Sequence, residues 1–248
     1  MHGGGGDRLP WIGLALLDWA PDLIAITEFR SVRGGSLRAV LADHGWKFQA
    51  QSAGPRHENT VFVASRTPIV GVDAHTELGG LARRLVTVTL ACGTSLSAAH
   101  IPDAQRSDSG GMVARTAVWR ALLRRARTER AGKHVVLGDL NTGRHRLDEA
   151  GSTFSCTALL GELVSMGYVD AWRAVHGASA RQASWVSHAG GGFRLDHALV
   201  SRPLAGAICG AEYGRNALKT RLSDHAPLVV ELAPTLVRTI RDGGADAA

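Results

Sequence analysis

The stretch Val135-Val136-Leu137-Gly138-Asp139-Leu140-Asn141 decides how the rest of the chain is read. Val135, Val136 and Leu137 form an apolar run of the kind that is buried in a sheet. Gly138 turns the backbone, and Asp139 and Asn141 follow, two residues apart. Side chains at i and i+2 of a strand point the same way. The pair can therefore contact one ligand together at a strand end, where a rigid scaffold gives way to loops and binding groups gather.

Other apolar runs end in the same manner. LIAIT (23–27) leads into Glu28, and SLSAAHI (95–101) carries His100. FRLDHALVS (193–201) carries Asp196 and His197, and Ser223-Asp224-His225 precedes APLVVEL (226–232). VFVAS (61–65) and RLVTVTL (84–90) are further strands. SWVS (184–187) pairs with 193–201 as a hairpin across Gly190-Gly191-Gly192. Periodicity predicts helices over 9–19, 36–44, 112–130 and 156–166. The third is amphipathic through Val113, Ala117, Val118, Ala121, Leu122 and Ala126, and a solvated face accounts for its arginines. Strands and helices are mixed rather than strictly alternating. One domain over 1–236 is expected, with a frayed Gly/Ala/Asp tail at 237–248.

A lone Asp after a strand is commonly a turn former. Five polar clusters at five strand ends carry more weight, because they can converge on one cleft. Carboxylates are hard oxygen ligands suited to Mg²⁺ or Mn²⁺. Asn141 and two histidines can hydrogen-bond a phosphate without adding negative charge. Together they are an inventory for metal-assisted phosphodiester hydrolysis.

Composition narrows the field without deciding it. The 248 residues are 45% hydrophobic and 20% charged, which suits a globular chain with a sizeable core. A net charge of +6 favours anionic partners, nucleic acid first. Arginine supplies nearly all of it; the lysines are Lys47, Lys133 and Lys219. Cys92, Cys156 and Cys209 are odd in number, far apart and without a CxxC, so neither a disulfide framework nor a zinc site follows. The opening twenty residues lack the pattern of a secretory signal, and no run reaches the roughly 18 apolar residues of a membrane span. A monomer in the cytoplasm is expected.

In this order along the chain, Thr27-Glu28-Phe29, AHIP (99–102), GDLN (138–141), RLDH (194–197) and SDH (223–225) resemble the endonuclease/exonuclease/phosphatase superfamily. GYVDAWR (167–173) ahead of Ser184-Trp185 is similar to its exonuclease and abasic-site endonuclease branch. The resemblance spans about 9–232. It implies an α+β fold: a four-layered α/β sandwich of two mixed sheets face to face, with helices outside. It also implies an opening strand with a Trp-Asn pair. This chain shows none, so one sheet is expected to be a strand short.

The resemblance implies roles as well. Glu28 would hold a catalytic Mg²⁺ or Mn²⁺, with Asp224 in the metal shell. Asp139 would deprotonate the attacking water, and Asn141 would hold the phosphate and help fix Asp139. His225 would donate to a non-bridging oxygen, oriented by Asp196. His100 would act near the leaving oxygen, where an unperturbed pKa of about 6.5 allows general acid work. Glu58 stands where pancreatic-type deoxyribonucleases keep a partner for their histidine, so a Glu58–His100 pair is expected. Phe193 and Leu195 match the positions that line a pocket for a flipped-out sugar, with Trp185 nearby. Arg30 and Arg144 would neutralise phosphates. The reaction expected is cleavage of DNA, as an endonuclease or exonuclease. A phosphatase or phospholipase-like enzyme on a small or lipid phosphoester, or an inactive binding homologue, are the alternatives.

Overall fold

The computed structural model describes residues 5–103, 109–214 and 222–234. After a 3-10 turn at Gly6–Arg8 the chain runs α1 (Leu9–Trp19), β1 (Leu23–Phe29), α2 (Ser31–Asp43), β2 (Phe48–Gln51), β3 (Thr60–Ser65) and β4 (Ile69–Asp73). A 3-10 segment (Thr76–Arg84) leads to β5 (Leu85–Leu90), β6 (Thr94–His100), α3 (Ser109–Glu129), β7 (Lys133–Asp139), α4 (Thr157–Ser165), β8 (Val169–Asp170) and α5 (Ala171–His176). Then come β9 (Trp185–Val186), β10 (Gly192–Phe193), β11 (Asp196–Val200), α6 (Arg202–Ala205), β12 (Ile208–Tyr213) and β13 (Leu228–Leu232). The expected tail at 237–248 lies outside the described residues.

The larger sheet is mixed, in the order β4-β5-β6-β7-β11-β8, with β6 and β7 parallel and its other pairs antiparallel. Facing it are two antiparallel pieces, β1-β3-β2 and β12-β13. β1 and β13 each stand at an edge of their own piece, so among the described residues this layer consists of two separate sheets.

Alternation along the strands gives each sheet two apolar faces. Val61 and Val63 of β3 and Ala50 of β2 meet Val86, Val88, Leu96 and Ala98 in the sandwich interior. The outer face of the small sheet, through Ile24, Ile26 and Phe62, is covered by α1 and α2 with Leu9, Leu37 and Leu41. The outer face of the large sheet, through Leu85, Ala99, Val136 and Leu199, is covered by α3 and α4. These are the four layers: helices, small-sheet layer, large sheet, helices. Among the described residues no helix is long and apolar enough to cross a membrane.

Three local departures from the sequence reading have physical causes. Helix α2 begins at Ser31, five residues early, although Gly34 and Gly35 weaken helices. Gly34 sits on the Phe29 ring, where an added Cβ would come within 2.2 Å of ring carbons; packing overrides propensity. The run 193–201 is not one strand. It breaks at Arg194–Leu195, because the Leu195 and Asp196 N–H groups both donate to Ser184 Oγ instead of to a ladder partner. The short strands β2 and β4 escape a periodicity reading because polar Gln49 and Gln51, and Gly71, dilute their apolar pattern.

Candidate active site

Sheet register assembles the centre of the site. His100 ends β6, Asp139 ends β7 and Asp196 begins β11. In the ladders His100 is the partner of Asp139, and Asp139 is the partner of Asp196. Three titratable groups from distant parts of the sequence thus stand side by side at one edge of the large sheet. Gly138 makes the close approach possible. Its φ of 141° and the 2.0 Å that would separate an added Cβ from the Ala99 carbonyl oxygen admit only glycine.

Asn141, in a left-handed conformation (φ 47°), folds back onto Asp139. Its backbone N–H donates to Asp139 Oδ1 at 2.9 Å, and its side-chain amide donates to Asp139 Oδ2 at 3.2 Å and to the Ile101 carbonyl at 2.8 Å. The amide oxygen of Asn141 is thereby turned outward. His225 closes the other side. Its Nδ1 donates to Asp196 Oδ2 at 2.7 Å, and its backbone forms a β-bridge with Trp185. Tyr213 and Ser184 hold the Asp196 backbone through hydrogen bonds to its carbonyl and N–H.

Glu28 reaches the same cleft from the small-sheet layer. The β1–β3 register slips between Ile26 and Phe29, and Glu28 itself takes a φ of 57°. A bulge with a non-glycine residue at positive φ costs energy, and such strain gathers at functional sites. The cleft of about 380 Å³ is lined by Glu28, His100, Asp139, Asn141 and His225 on one side, and by Phe154, Trp185, Phe193 and Leu195 on another. The aromatic wall is continuous: Phe154 packs edge-on against Phe193 at 5.9 Å, and Trp185 lies 5.7 Å from Phe193.

Burial, reinforced by the neighbouring Asp196 charge, pushes the Asp139 carboxyl up to about 7. Burial alone would lower His225, but Asp196, in hydrogen bond with it, outweighs that and raises it to about 9. The same pairing holds Asp196 below the ordinary carboxylate range in spite of its burial. His100 behaves in the opposite way. Burial first, then the Arg84 guanidinium donating to its Nδ1 at 2.9 Å, depress it to about 3. His100 is a neutral imidazole near pH 7, with Nε2–H on the side of Asp139 Oδ2, 3.8 Å away. The expected titration near 6.5 is therefore corrected.

The expected Glu58–His100 pair is also absent. Glu58 binds Arg83 at 2.6 Å, and the neighbouring Arg84 takes the place beside His100. Arg30 donates to Asn59 and Arg144 is tied to Asp148 through its backbone, so neither side chain lines the cleft. Asp224 is exposed beside His225 and favours the imidazolium through its charge. Three residues at the cleft have no signal in the motifs: Arg84, Phe154 and Arg115. Arg115 is a fully buried α3 residue that donates to the Asn141 carbonyl. It belongs to a helix whose arginines read as solvated, and only its depth distinguishes it.

Behind the cleft lies a dry ion cluster. Arg194, fully buried, donates through Nε to Asp148 Oδ1 at 2.6 Å and through both terminal nitrogens to Asp170. Arg173 also binds Asp148. The cluster ties the loop after Asn141 to β8 and to the residue two before Asp196.

Asp139, Asp196 and His225 offer ligand atoms within 4.8 Å of one another. A divalent cation fits this region: hard carboxylate oxygens converge, and Asp139 is held up by a second carboxylate that a cation would offset. A sheet sandwich with buried carboxylates, an amide and a carboxylate-paired imidazolium at its edge defines a class, the hydrolases of phosphoesters.

The chain belongs to the endonuclease/exonuclease/phosphatase family, whose model matches residues 11–225. Solved structures that share its fold include an exonuclease, a 3' phosphatase and an abasic-site endonuclease. The 3'-5' exonuclease NExo from Neisseria meningitidis is 26% identical, with a TM-score of 0.78 over 91% of this chain and 94% of that one. The Neisseria 3' phosphatase NExo, in a substituted form bound to a product DNA hairpin, is 24% identical, with a TM-score of 0.78 over 93% and 96%. An AP endonuclease from Archaeoglobus fulgidus is 21% identical, with a TM-score of 0.77 over 91% and 94%. No curated protein matches. The chain is accordingly a hydrolytic phosphoesterase.

Proposed function

We propose that this phosphoesterase is a divalent-metal-dependent nuclease that hydrolyses phosphodiester bonds of DNA. The observation that carries the reading is the Asp139–Asp196 pair with its two unlike histidines. Asp139, titrating near neutrality and pinned by Asn141, is suited to take a proton from water. His225 holds a positive charge up to about pH 9 and can donate to a phosphoryl oxygen as charge builds there. His100 supplies a neutral N–H donor, and Arg84 a guanidinium behind it. Glu28 and Asp224 would hold Mg²⁺ or Mn²⁺ beside this pair, and the ion when bound supplies charge neutralisation at the phosphoryl group.

DNA as substrate is supported by the basic balance of the chain, by the aromatic wall of Phe154, Trp185 and Phe193, and by the DNA bound to the Neisseria relative. An aromatic face beside the catalytic carboxylates suits a terminal or extruded nucleotide. The test is hydrolysis of labelled duplexes carrying a plain end, a 3'-phosphate or an abasic site, in Mg²⁺ and in EDTA. Metal-dependent release from any of them is the expected result, and the preferred substrate fixes the branch. No cleavage of the three, with turnover of a phosphoinositide or a small phosphodiester, overturns the DNA assignment.

A further inference from the structure

Between Asp139 and the start of α4 at Thr157 the chain forms no further helix or strand. In a compact domain a connection of this length commonly carries function. Its backbone is strained: Asn141, Arg146 and Cys156 take positive φ values of 47°, 60° and 64°. Near its end Thr153, Phe154 and Ser155 line the cleft. Glu149, a carboxylate with 4% exposure, holds them there.

Glu149 Oε1 accepts the Thr153 N–H at 2.7 Å, the Phe154 N–H at 3.1 Å and the His145 Nδ1–H at 3.1 Å. Its Oε2 accepts the Thr153 hydroxyl. All of these neighbours donate, and an ionised carboxylate only accepts. Burial by itself would raise the Glu149 carboxyl, but the bonds from Thr153 and His145 outweigh it and hold it below the ordinary glutamate range. An amide in its place would turn an NH₂ group toward N–H donors and leave one of them unpaired in a buried setting. Phe154 is thereby fixed at both ends. Its N–H is tied to Glu149, and its ring is stacked at 6.3 Å and 26° by the His145 ring, which the same carboxylate orients. The Phe154 ring in turn supports Phe193 edge-on at 5.9 Å, and Phe193 lies 5.7 Å from Trp185.

We propose that Glu149, on the nuclease reading of this cleft, is the positioning residue of the aromatic wall: it sets Phe154 so that the wall grips the nucleoside next to the scissile phosphate. Bases stack on aromatic side chains, and a ring already fixed loses little freedom when the base arrives. The loop then has separate duties along its length. Asn141 at its start serves the phosphoryl group, and Glu149 at its turn serves recognition of the nucleoside. Glu149 does not itself line the cleft. Its loss is therefore read in affinity for the nucleoside rather than in the chemical step.

The experiment compares two chromogenic substrates with one leaving group, the p-nitrophenyl phosphodiesters of thymidine and of methanol, in Mg²⁺. The ratio of their kcat/KM values isolates what the nucleoside contributes. Glu149→Gln should lower that ratio about tenfold, through KM for the thymidine diester, the scale of one weakened base–aromatic contact. Phe154→Leu should lower it alike, and the double variant no further, because Glu149 acts through Phe154. A general loss of structure lowers both substrates together and leaves the ratio where it was. Circular dichroism checks the fold; should Glu149→Gln not fold, Glu149→Asp, whose carboxylate is one methylene short of its donors, takes its place with the same expected fall. A ratio equal to the wild type's in the Glu149 variant, or effects of the two substitutions that add, overturns the assignment while the DNA reading stands. A wild type indifferent to the nucleoside overturns both, and is seen before any variant is made.

Discussion

Asp139 and Asp196 are direct partners across β7 and β11, yet one is pushed toward neutrality and the other held ionised. The asymmetry comes from His225, which hydrogen-bonds Asp196 alone. Two equivalent carboxylates are thus converted into a candidate base and an orienting group, the separation of roles on which acid–base sites rest.

Asp139→Asn should reduce hydrolysis by about 10³-fold or more, the scale of a lost general base. The same variant should be more stable than the wild type in metal-free buffer at pH 8. Asp139 titrates at about 7 when folded, above its ordinary 3.8. Its contribution is therefore fully present below about pH 4 and is lost as pH rises through 7. An amide keeps the acceptor for the Asn141 N–H without the buried charge. Equal melting temperatures of the two metal-free proteins at pH 8 would contradict this origin of the shift.

His225 makes a second, higher window. Its folded value of about 9 lies above the ordinary 6.5, so its stabilisation is complete below about 6.5 and is lost as pH rises through 9. Metal-free wild type should lose stability across that interval, and His225→Gln should lose less. Turnover of His225→Ala should fall by about 10² or more, as for other preorganised charge-stabilising donors. Urea unfolding at several pH values, beside kcat, separates the two effects.

The strand ends of β1, β6, β7 and β11 are legible in the sequence because an apolar run that stops at a titratable residue is a local pattern. So are Asp139, Asn141, Asp196, His100, His225 and Glu28 as members of one cleft, once the runs are placed in one fold. What the sequence hides is whatever depends on neighbours from elsewhere. Arg84 stands next to Arg83, and nothing local says which faces Glu58 and which faces His100. Phe154 sits in a polar loop and becomes part of a wall only because Phe193 comes to it. Arg115 is buried against the Asn141 carbonyl whereas Arg120 and Arg124 of the same helix are exposed, and nothing local in the sequence separates them. The pKa of His100 is the same kind of property, set by burial and by a guanidinium from another part of the chain.

The His100 imidazole should show no titration between pH 5 and 8 in the metal-free protein, since its folded value is about 3. Its ring resonances in NMR should stay those of a neutral ring across that range, and Arg84→Gln should raise the midpoint. A midpoint near 6.5 in the wild type would restore His100 as a candidate acid and remove Arg84 from its setting.

Glu28 projects into the cleft from a bulge at φ 57°, a conformation glycine would adopt with less strain. Glu28→Gln should raise the Mg²⁺ concentration needed for half-maximal hydrolysis by about tenfold, the effect of losing one supporting carboxylate contact. Chelation should abolish activity, and restored Mg²⁺ should return it. An unaltered metal dependence in Glu28→Gln would take Glu28 out of the set that holds the ion.

Arg194 lies two residues before Asp196, is fully buried, and binds Asp148 and Asp170 together. Removing one member of a buried charge network leaves the others unpaired in a dry interior, so Arg194→Ala should destabilise by about 3–5 kcal/mol. Arg194→Met and Arg173→Met together with Asp148→Asn and Asp170→Asn should recover part of that loss, because replacing all four members of the network leaves no orphan charge among them. If stability returns while kcat stays low, the cluster's role is to hold the Leu195–Asp196 backbone in register with Asp139. If kcat returns with stability, the cluster serves folding alone. Urea unfolding and single-turnover cleavage on the same preparations distinguish the two.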